Sequence, residues 1–305
     1  MLPGSERLER VAMFRDIGLL LLAVAVCCAS VAAQAGAPVQ FDIQGHRGAR
    51  GLMPENSMPA FRKALSLRVP TLELDLRLTE DRVFVVYHDA KLNPKRCVYD
   101  DGRKVKKQAI DQLRYDALAH IDCGRLGDRH FPEQQTVEGA RIPRFRDVLA
   151  LARSADYPVR LSVEIKWNKR RDGLTETAYA GQLLTLIKQY GLAQRTIVQS
   201  FHTAVLLAVG SVDPTVQRAI LVRRPEEYDA AVQQSQATIL SPRYDGLQRE
   251  DVERFQRLGI AVIPWTVDEP ADLCRMIAWG VNGLITDYPD RALRLVKNNS
   301  CKDTN

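Results

Sequence analysis

Four short constellations gather carboxylates, imidazoles and cationic side chains at the ends of apolar runs. In Gly45-His46-Arg47-Gly48 an imidazole and a guanidinium follow an apolar run and precede Pro54-Glu55-Asn56, so both are delivered where a strand would end. In Glu73-Leu74-Asp75, strand alternation sends both carboxylates to one face and Leu72, Leu74 and Leu76 to the other. Buried like charges are costly unless a cation or a hydrogen-bond network compensates them, and a hard divalent ion meets that need. The structural alternative is a face salt-bridged to Arg77 or Arg82.

His88-Asp89 closes the run Val85-Val86-Tyr87, and Asp89 could orient the imidazole or cap the following turn. Glu164-Ile165-Lys166 ends another apolar run, and the same alternation presents an acid and an amine together. Glu164 could complete a metal shell and Lys166 could bind a phosphate oxygen as a point charge, or the two could form an internal ion pair. Each constellation alone has an ordinary structural explanation. Together they supply acid ligands, two imidazoles and two cationic groups, each at the end of an expected strand.

From residue 39 onward, apolar β-branched runs alternate with helical patterns, the signature of a parallel α/β fold. Strands are expected near 39–44, 71–76, 83–87, 161–165, 196–200, 217–221, 237–240, 261–266 and 283–286, nine candidates for the eight places of a (β/α)8 TIM-like barrel. The segment 78–82 is too short for a parallel crossover, so 83–87 returns as a hairpin, and a turn centred on Glu80-Asp81 places His88 across from Glu73. Helical spacing covers 57–67, with Asn56 as its cap, and 146–153, 177–190, 249–258 and 270–279; Gly191, Gly259 and Gly280 close three of these. Residues 90–142 break the rhythm and read as an insertion after the hairpin, overhanging the end of the barrel where active sites form.

The set His46-Arg47-Gly48, Pro54-Glu55-Asn56, Glu73-Leu74-Asp75, His88-Asp89 and Glu164-Ile165-Lys166 resembles the glycerophosphodiester phosphodiesterase family. The resemblance extends over about residues 41–295, including Gly139-Ala140-Arg141-Ile142-Pro143, Ser200-Phe201, Trp265-Thr266-Val267 and the run from Gly283 to Asp290. It implies that Glu73, Asp75 and Glu164 bind a divalent metal, that His46 and His88 act as general base and acid, and that Arg47 and Lys166 hold the phosphate. It also implies contact between Trp265 and the alcohol portion of the substrate, and a small insertion domain, which 90–142 resembles. Ser57 and Arg144 stand where this family commonly has threonine, and Arg144 bears on the substrate rim more than on the chemistry. His202, after Ser200-Phe201 at a strand end, could line the pocket; His120 and His130 lie in the insertion and read as surface or packing residues.

The implied reaction is metal-dependent hydrolysis of small-molecule glycerophosphodiesters to glycerol 3-phosphate and an alcohol. Water or the substrate's own glycerol hydroxyl could attack, the latter through a cyclic phosphate. An all-oxygen carboxylate site favours calcium or magnesium over zinc, and the expected export favours calcium of the two. A phospholipase D or sphingomyelinase D-like activity on lysolipids is an alternative, and a metal-dependent barrel lyase or isomerase is another.

The chain of 305 residues has 46% hydrophobic and 26% charged residues, ordinary values for a globular protein with a large core. A net charge of +6, scattered apart from Lys104–Lys107 and Lys169–Arg171, gives no nucleic-acid footprint. Arg7, Arg10 and Arg15 precede an uncharged run, and Ala33-Gln34-Ala35 offers a cleavage pattern, so residues 1–35 read as a signal peptide ahead of a domain spanning 36–305. Translation from Met13, an uncleaved anchor, and lipidation at Cys27 or Cys28 are alternatives. A periplasmic or secreted location is expected, with no stable membrane span after cleavage. Cys97, Cys123, Cys274 and Cys301 would remain, an even number; 97 with 123 would staple the insertion and 274 with 301 would tie down the C-terminal tail, although spacing leaves the pairing open.

Overall fold

The runs of β-branched and leucine residues that alternate with helices form a nearly closed barrel of eight parallel strands. The computed structural model describes residues 41–168 and 173–301. The expected signal segment and Lys169–Arg171 lie outside the described residues. The barrel strands are β1 (Asp42–Gly45), β2 (Thr71–Leu78), β6 (Arg160–Ile165), β7 (Thr196–Ser200), β8 (Gln217–Val222), β9 (Ile239–Pro242), β10 (Ala261–Val262) and β11 (Gly283–Thr286). Their order is β10-β9-β8-β7-β6-β2-β1-β11. Pro264 interrupts the last seam, which is nevertheless bridged by backbone hydrogen bonds from Asn282 N to Val262 O, Ile285 N to Pro264 O and Val267 N to Ile285 O, each 2.9 Å.

Alternation decides what each strand contributes. Leu72, Leu74 and Leu76 of β2 are fully buried on the outer face, in one continuous core with Phe61, Phe145, Val148 and Tyr179 of the surrounding helices. The opposite face looks into the barrel, where Ile197, Ala219, Ile239, Ile263 and Ile285 form a separate interior cluster. This greasy plug leaves Glu73, Asp75 and Glu164 as buried charges at one end of the barrel. Burial of one such aliphatic side chain is worth about 1.5–3 kcal/mol, so the plug supports a charged layer that could not sustain itself.

The ninth candidate strand, β3 (Phe84–Val86), returns antiparallel to β2 with Leu76 opposite Val86, Arg77 opposite Val85 and Leu78 opposite Phe84. The expected register is off by one. The loop 79–83 centres on Asp81, with Thr79 N bonded to Val83 O at 3.1 Å and Arg82 in the left-handed region at φ +59°. His88 therefore falls past Leu74 rather than Glu73, and Tyr87 N bonds to Asp75 O at 3.0 Å.

Of the expected helices, α1 (Met58–Ser66), α3 (Phe145–Arg153), α4 (Glu176–Gln189), α7 (Arg249–Arg257) and α8 (Pro270–Ala278) form with ends within two residues of those expected. Gly191, Gly259 and Gly280 follow three of them at positive φ, the conformation that ends a helix. Three more barrel helices were not among those expected: α5 (Thr203–Val212), α6 (Tyr228–Ser235) and α9 (Pro289–Asn298). The cap of α1 is Ser57, whose hydroxyl accepts from Ala60 N at 3.3 Å, and not Asn56, which turns inward. No helix among the described residues is long and apolar enough to cross a membrane.

Between β3 and α3 the chain forms a small body with its own core of Leu92, Cys97, Val105, Ile110, Leu118 and Ile121 against Val85, Tyr87 and Ile142. It holds the short ribbon β4 (Val98–Tyr99) and β5 (Ile121–Asp122) and the helix α2 (Tyr115–Leu118). A disulfide between Cys97 and Cys123 staples it, and a second between Cys274 and Cys301 ties the end of the chain to α8. Arg144 is the N-cap of α3, its backbone N–H donating to Asp147 Oδ2 at 3.2 Å, and its guanidinium lies 5.4 Å over the Tyr115 ring at the base of this body.

Candidate active site

At the C-terminal end of the barrel, β2 and β6 lie side by side with Asp75 opposite Glu164. One carboxylate oxygen from each of Glu73, Asp75 and Glu164 lies within 4.8 Å of the other two, and all three residues are buried. Glu73 is held by Arg47 N on Oε2 and Gln199 Nε2 on Oε1, both at 2.8 Å. Asp75 Oδ2 accepts from Asn56 Nδ2 at 2.7 Å and lies 3.2 Å from Arg47 Nε. Lys166 Nζ lies 2.6 Å from Glu164 Oε1 and 3.1 Å from Asp75 Oδ1. Beyond the Lys166 ammonium neither of those two oxygens has a hydrogen-bond donor, so each keeps a direction open to a cation.

The electrostatics match. Burial, then Asp75 and Glu164, push the Glu73 carboxyl well above its ordinary range, and burial takes Glu164 up to about 7. Burial would raise Asp75 too, but Lys166 and Arg47 overcome it and hold this carboxyl well below its usual value. Three converging carboxylates with one ammonium between two of them are short of positive charge, and an all-oxygen cage of this kind fits a hard divalent cation.

The two imidazoles are built alike. His46, just beyond β1, shares a 2.6 Å hydrogen bond between Nδ1 and Asp287 Oδ1, which turns Nε2 toward Glu73 Oε2 at 4.0 Å. His88, just beyond β3, shares a 2.8 Å bond between Nδ1 and Asp89 Oδ1. Burial pulls both imidazoles below their ordinary pKa; at His46 Arg47 and Arg50 add to it, whereas at His88 the Asp89 hydrogen bond opposes it. Each ring thus has one nitrogen anchored on a carboxylate and the other left for proton transfer.

A half-buried glutamate, Glu55, organises the cations around them. Glu55 receives Arg47 Nη1 and Arg50 Nε, each at 2.9 Å, and also pairs with Arg96 Nη1. Arg96 Nη2 in turn reaches Asp89 Oδ2 at 2.8 Å, linking the insertion to His88. The lock works because Arg47 sits at φ +51° and the next residue, Gly48, at φ +90°, where an added Cβ would stand 2.8 Å from Ala60.

Of the residues singled out from the sequence, His46, Arg47, Glu73, His88, Glu164, Lys166 and Trp265 line one cavity of about 260 Å³, with Asp75 beneath. The cavity's far wall is apolar: Phe201 meets Trp265 edge to face at 5.6 Å, and Arg223 stacks over Phe201 at 3.9 Å. Trp265 is fixed there by Nε1 donating to Ser241 O at 2.8 Å. His202 does not line this cavity. It precedes α5 with its N–H tied to Ser200 Oγ at 3.1 Å, so Phe201 takes the inward position and His202 faces away. His120 and His130 are exposed beside Asp100 and Asp128. Gln199, Arg50, Arg223 and Asp287 were not singled out from the sequence. For Gln199 a signal existed, since it lies opposite Glu164 on β7 and shares the alternation that marks the acids.

The family model for glycerophosphoryl diester phosphodiesterases matches residues 46–291. A glycerophosphodiester phosphodiesterase of Caldanaerobacter subterraneus subsp. tengcongensis is 31% identical over 258 residues, covering 83% of this chain and 96% of that one. One from Bacillus subtilis is 28% identical over 284 residues, covering 90% and 93%. The crystal structure of a Silicibacter pomeroyi DSS-3 protein superimposes with a TM-score of 0.80 at 30% identity, over 87% of this chain and 96% of that one. Because the matched segment begins at His46 and runs through the barrel to α9, this chain belongs to the glycerophosphoryl diester phosphodiesterase family.

Proposed function

We propose that this chain is an exported, divalent-metal-dependent enzyme that hydrolyses glycerophosphodiesters to glycerol 3-phosphate and an alcohol, with His46 and His88 as its proton-transfer groups. The activity follows from the family and from the relatives that carry it. The observation that carries the mechanism is the meeting of three buried carboxylates with two carboxylate-anchored imidazoles around one small cavity.

Glu73, Asp75 and Glu164 would hold the ion, which when bound withdraws charge from phosphorus and acidifies a nearby hydroxyl. Calcium is favoured over magnesium because clustered carboxylates in a protein cage suit the larger, more tolerant ion. Arg47 and Lys166 would face the phosphate oxygens as charge stabilisers. One imidazole takes the proton of the attacking oxygen through Nε2 as the new P–O bond forms. The other gives its proton to the departing alcohol oxygen as the old P–O bond breaks. Asp287 and Asp89 hold the two rings in the required tautomer. Export is supported by the Arg-led uncharged segment at the N-terminus and by two disulfides, which persist in oxidising compartments.

The test is release of glycerol 3-phosphate from glycerophosphocholine by purified protein, before and after EDTA and after restoring calcium or magnesium. Activity lost to EDTA and restored by calcium supports the proposal. Full activity in EDTA would remove the metal from it, and no release from any glycerophosphodiester with either ion would remove the function.

A further inference from the structure

Beside the catalytic cavity lies a second, larger concavity of about 650 Å³, formed by the insertion and sharing Arg50 as a common wall. Its cationic lining is Arg50, Lys95, Arg96, Lys104 and Arg129, with His130 at the edge. Arg50 and Arg96 are turned inward onto Glu55. The groove's own acid, Asp128, shares a 2.8 Å hydrogen bond with His130 and faces the charges of Arg96 and Arg50. Lys95, Lys104 and Arg129 make no ion pair among the described residues, and all three are exposed. A concave surface walled by protein focuses the field of such charges, so three uncompensated cations at its lining form a site for an anion rather than a neutral rim.

We infer that this groove binds an anionic group carried on the alcohol portion of the phosphodiester, and so selects substrates whose alcohol bears a further phosphate. The inference rests on the phosphodiesterase proposal above. The scissile phosphate belongs with Arg47 and Lys166 in the small cavity, which at about 260 Å³ has little room for a large phosphorylated alcohol. The shared Arg50 wall makes the groove the adjoining space into which such an alcohol can extend. The groove's cations outnumber its single acid, Asp128, so its lining disfavours a cationic alcohol such as choline.

The discriminating pair is glycerophosphoinositol and its bisphosphorylated form, which share scissile bond and ring and differ only in the phosphates on the alcohol. Lys95→Ala, Lys104→Ala and Arg129→Ala combined in one protein remove the free charges without touching the catalytic groups. The expected result is a fall of about tenfold in kcat/KM for the bisphosphorylated substrate, mostly in KM, with glycerophosphoinositol within about twofold of wild type. The wild-type preference should also weaken as salt is raised, and that dependence should flatten in the variant. An equal loss on both substrates, or no loss on either, overturns the inference and leaves the phosphodiesterase proposal standing. Lost binding to vesicles of anionic lipid, with substrate preference unchanged, assigns the cations to a membrane surface and overturns it as well. Wild-type protein that cleaves neither compound but releases glycerol 3-phosphate from glycerophosphocholine overturns the inference alone, and protein that cleaves none of the three, with either ion, overturns the phosphodiesterase proposal itself.

Discussion

Asn56 and Asp75 hold each other in both directions: the Asn56 amide donates to Asp75 Oδ2 at 2.7 Å, and the Asp75 backbone N–H donates to Asn56 Oδ1 at 3.3 Å. Asn56 reaches this position from the left-handed region at φ +53°, which asparagine tolerates better than most residues. The pair fixes the orientation of the central carboxylate while leaving Oδ1 toward Glu164. Asn56→Ala should therefore weaken divalent metal affinity by about 10–100-fold, as loss of an outer hydrogen bond to a metal ligand commonly does, while kcat at saturating metal stays within a few-fold. Titrating activity against calcium, with calorimetry on the same protein, checks this; an unchanged midpoint would show that Asp75 needs no such support.

Asp287 bonds His46 across 241 residues of sequence, and Asp89 bonds His88 from the adjacent position. If these carboxylates set the tautomer, removing either should reduce kcat far more than it changes KM. Asp287→Ala and Asp89→Ala are each expected to lower kcat by about 100-fold, within the range that a positioned proton-transfer group contributes. The pH profile separates positioning from packing. Asp89 raises the His88 pKa against the burial that lowers it, so Asp89→Ala should move the corresponding limb of the profile to lower pH. A variant that loses activity with an unshifted profile would assign Asp89 to structure alone.

Asp268 and Asp287 are a buried pair of like charges, with Asp268 Oδ1 accepting from Asp287 N at 2.8 Å and from Thr286 Oγ1 at 3.1 Å. Burial takes both carboxyls up to about 6. The folded state therefore binds more protons than the unfolded chain between about pH 4 and 6, and this pair's contribution to stability falls as pH rises through that window. Asp268→Asn keeps both accepted hydrogen bonds and removes one charge. It should leave stability near pH 4 unchanged and add about 1–2 kcal/mol at pH 7, measured as urea midpoints in EDTA. A gain that is the same at both pH values would place the effect in packing rather than ionisation.

The clustered acids were legible because strand alternation is a local rule: Glu73 and Asp75 had to share a face once Leu72, Leu74 and Leu76 were assigned to the core. The partners that hold them were not, because they come together only through barrel closure. Asp287 reaches His46 through the pairing of β11 with β1, and Gln199 reaches Glu73 from β7. Pro54-Glu55-Asn56 was visible as a motif, but its local role as a helix start concealed its tertiary one, in which Glu55 collects Arg47, Arg50 and Arg96. Helix α5 escaped because Thr203–Val212 is apolar on almost every side, which leaves no amphipathic period to read. The hairpin register slipped by one because a five-residue loop and a four-residue loop differ by less than composition resolves.

The Cys97–Cys123 disulfide joins catalysis to the insertion through a neighbour, since Arg96, beside Cys97, pairs with both Asp89 and Glu55. Closing a loop across a sequence separation of 26 restricts the unfolded chain by about 3 kcal/mol in the chain-entropy account. The insertion's core is small, so that contribution is a large fraction of its local stability. Replacing both cysteines by serine should let the insertion open while the barrel stays closed, seen as faster amide exchange over residues 92–123 with β6 and β7 still protected. Activity should fall at the same time, because Arg96 no longer holds Asp89 against His88. The same exchange at Cys274 and Cys301 is the control: it releases the chain's end from α8, far in sequence from either histidine, and should cost stability with kcat preserved. Equal losses of kcat in the two double variants would separate the disulfide from the Asp89–His88 contact and reduce its role to general stability.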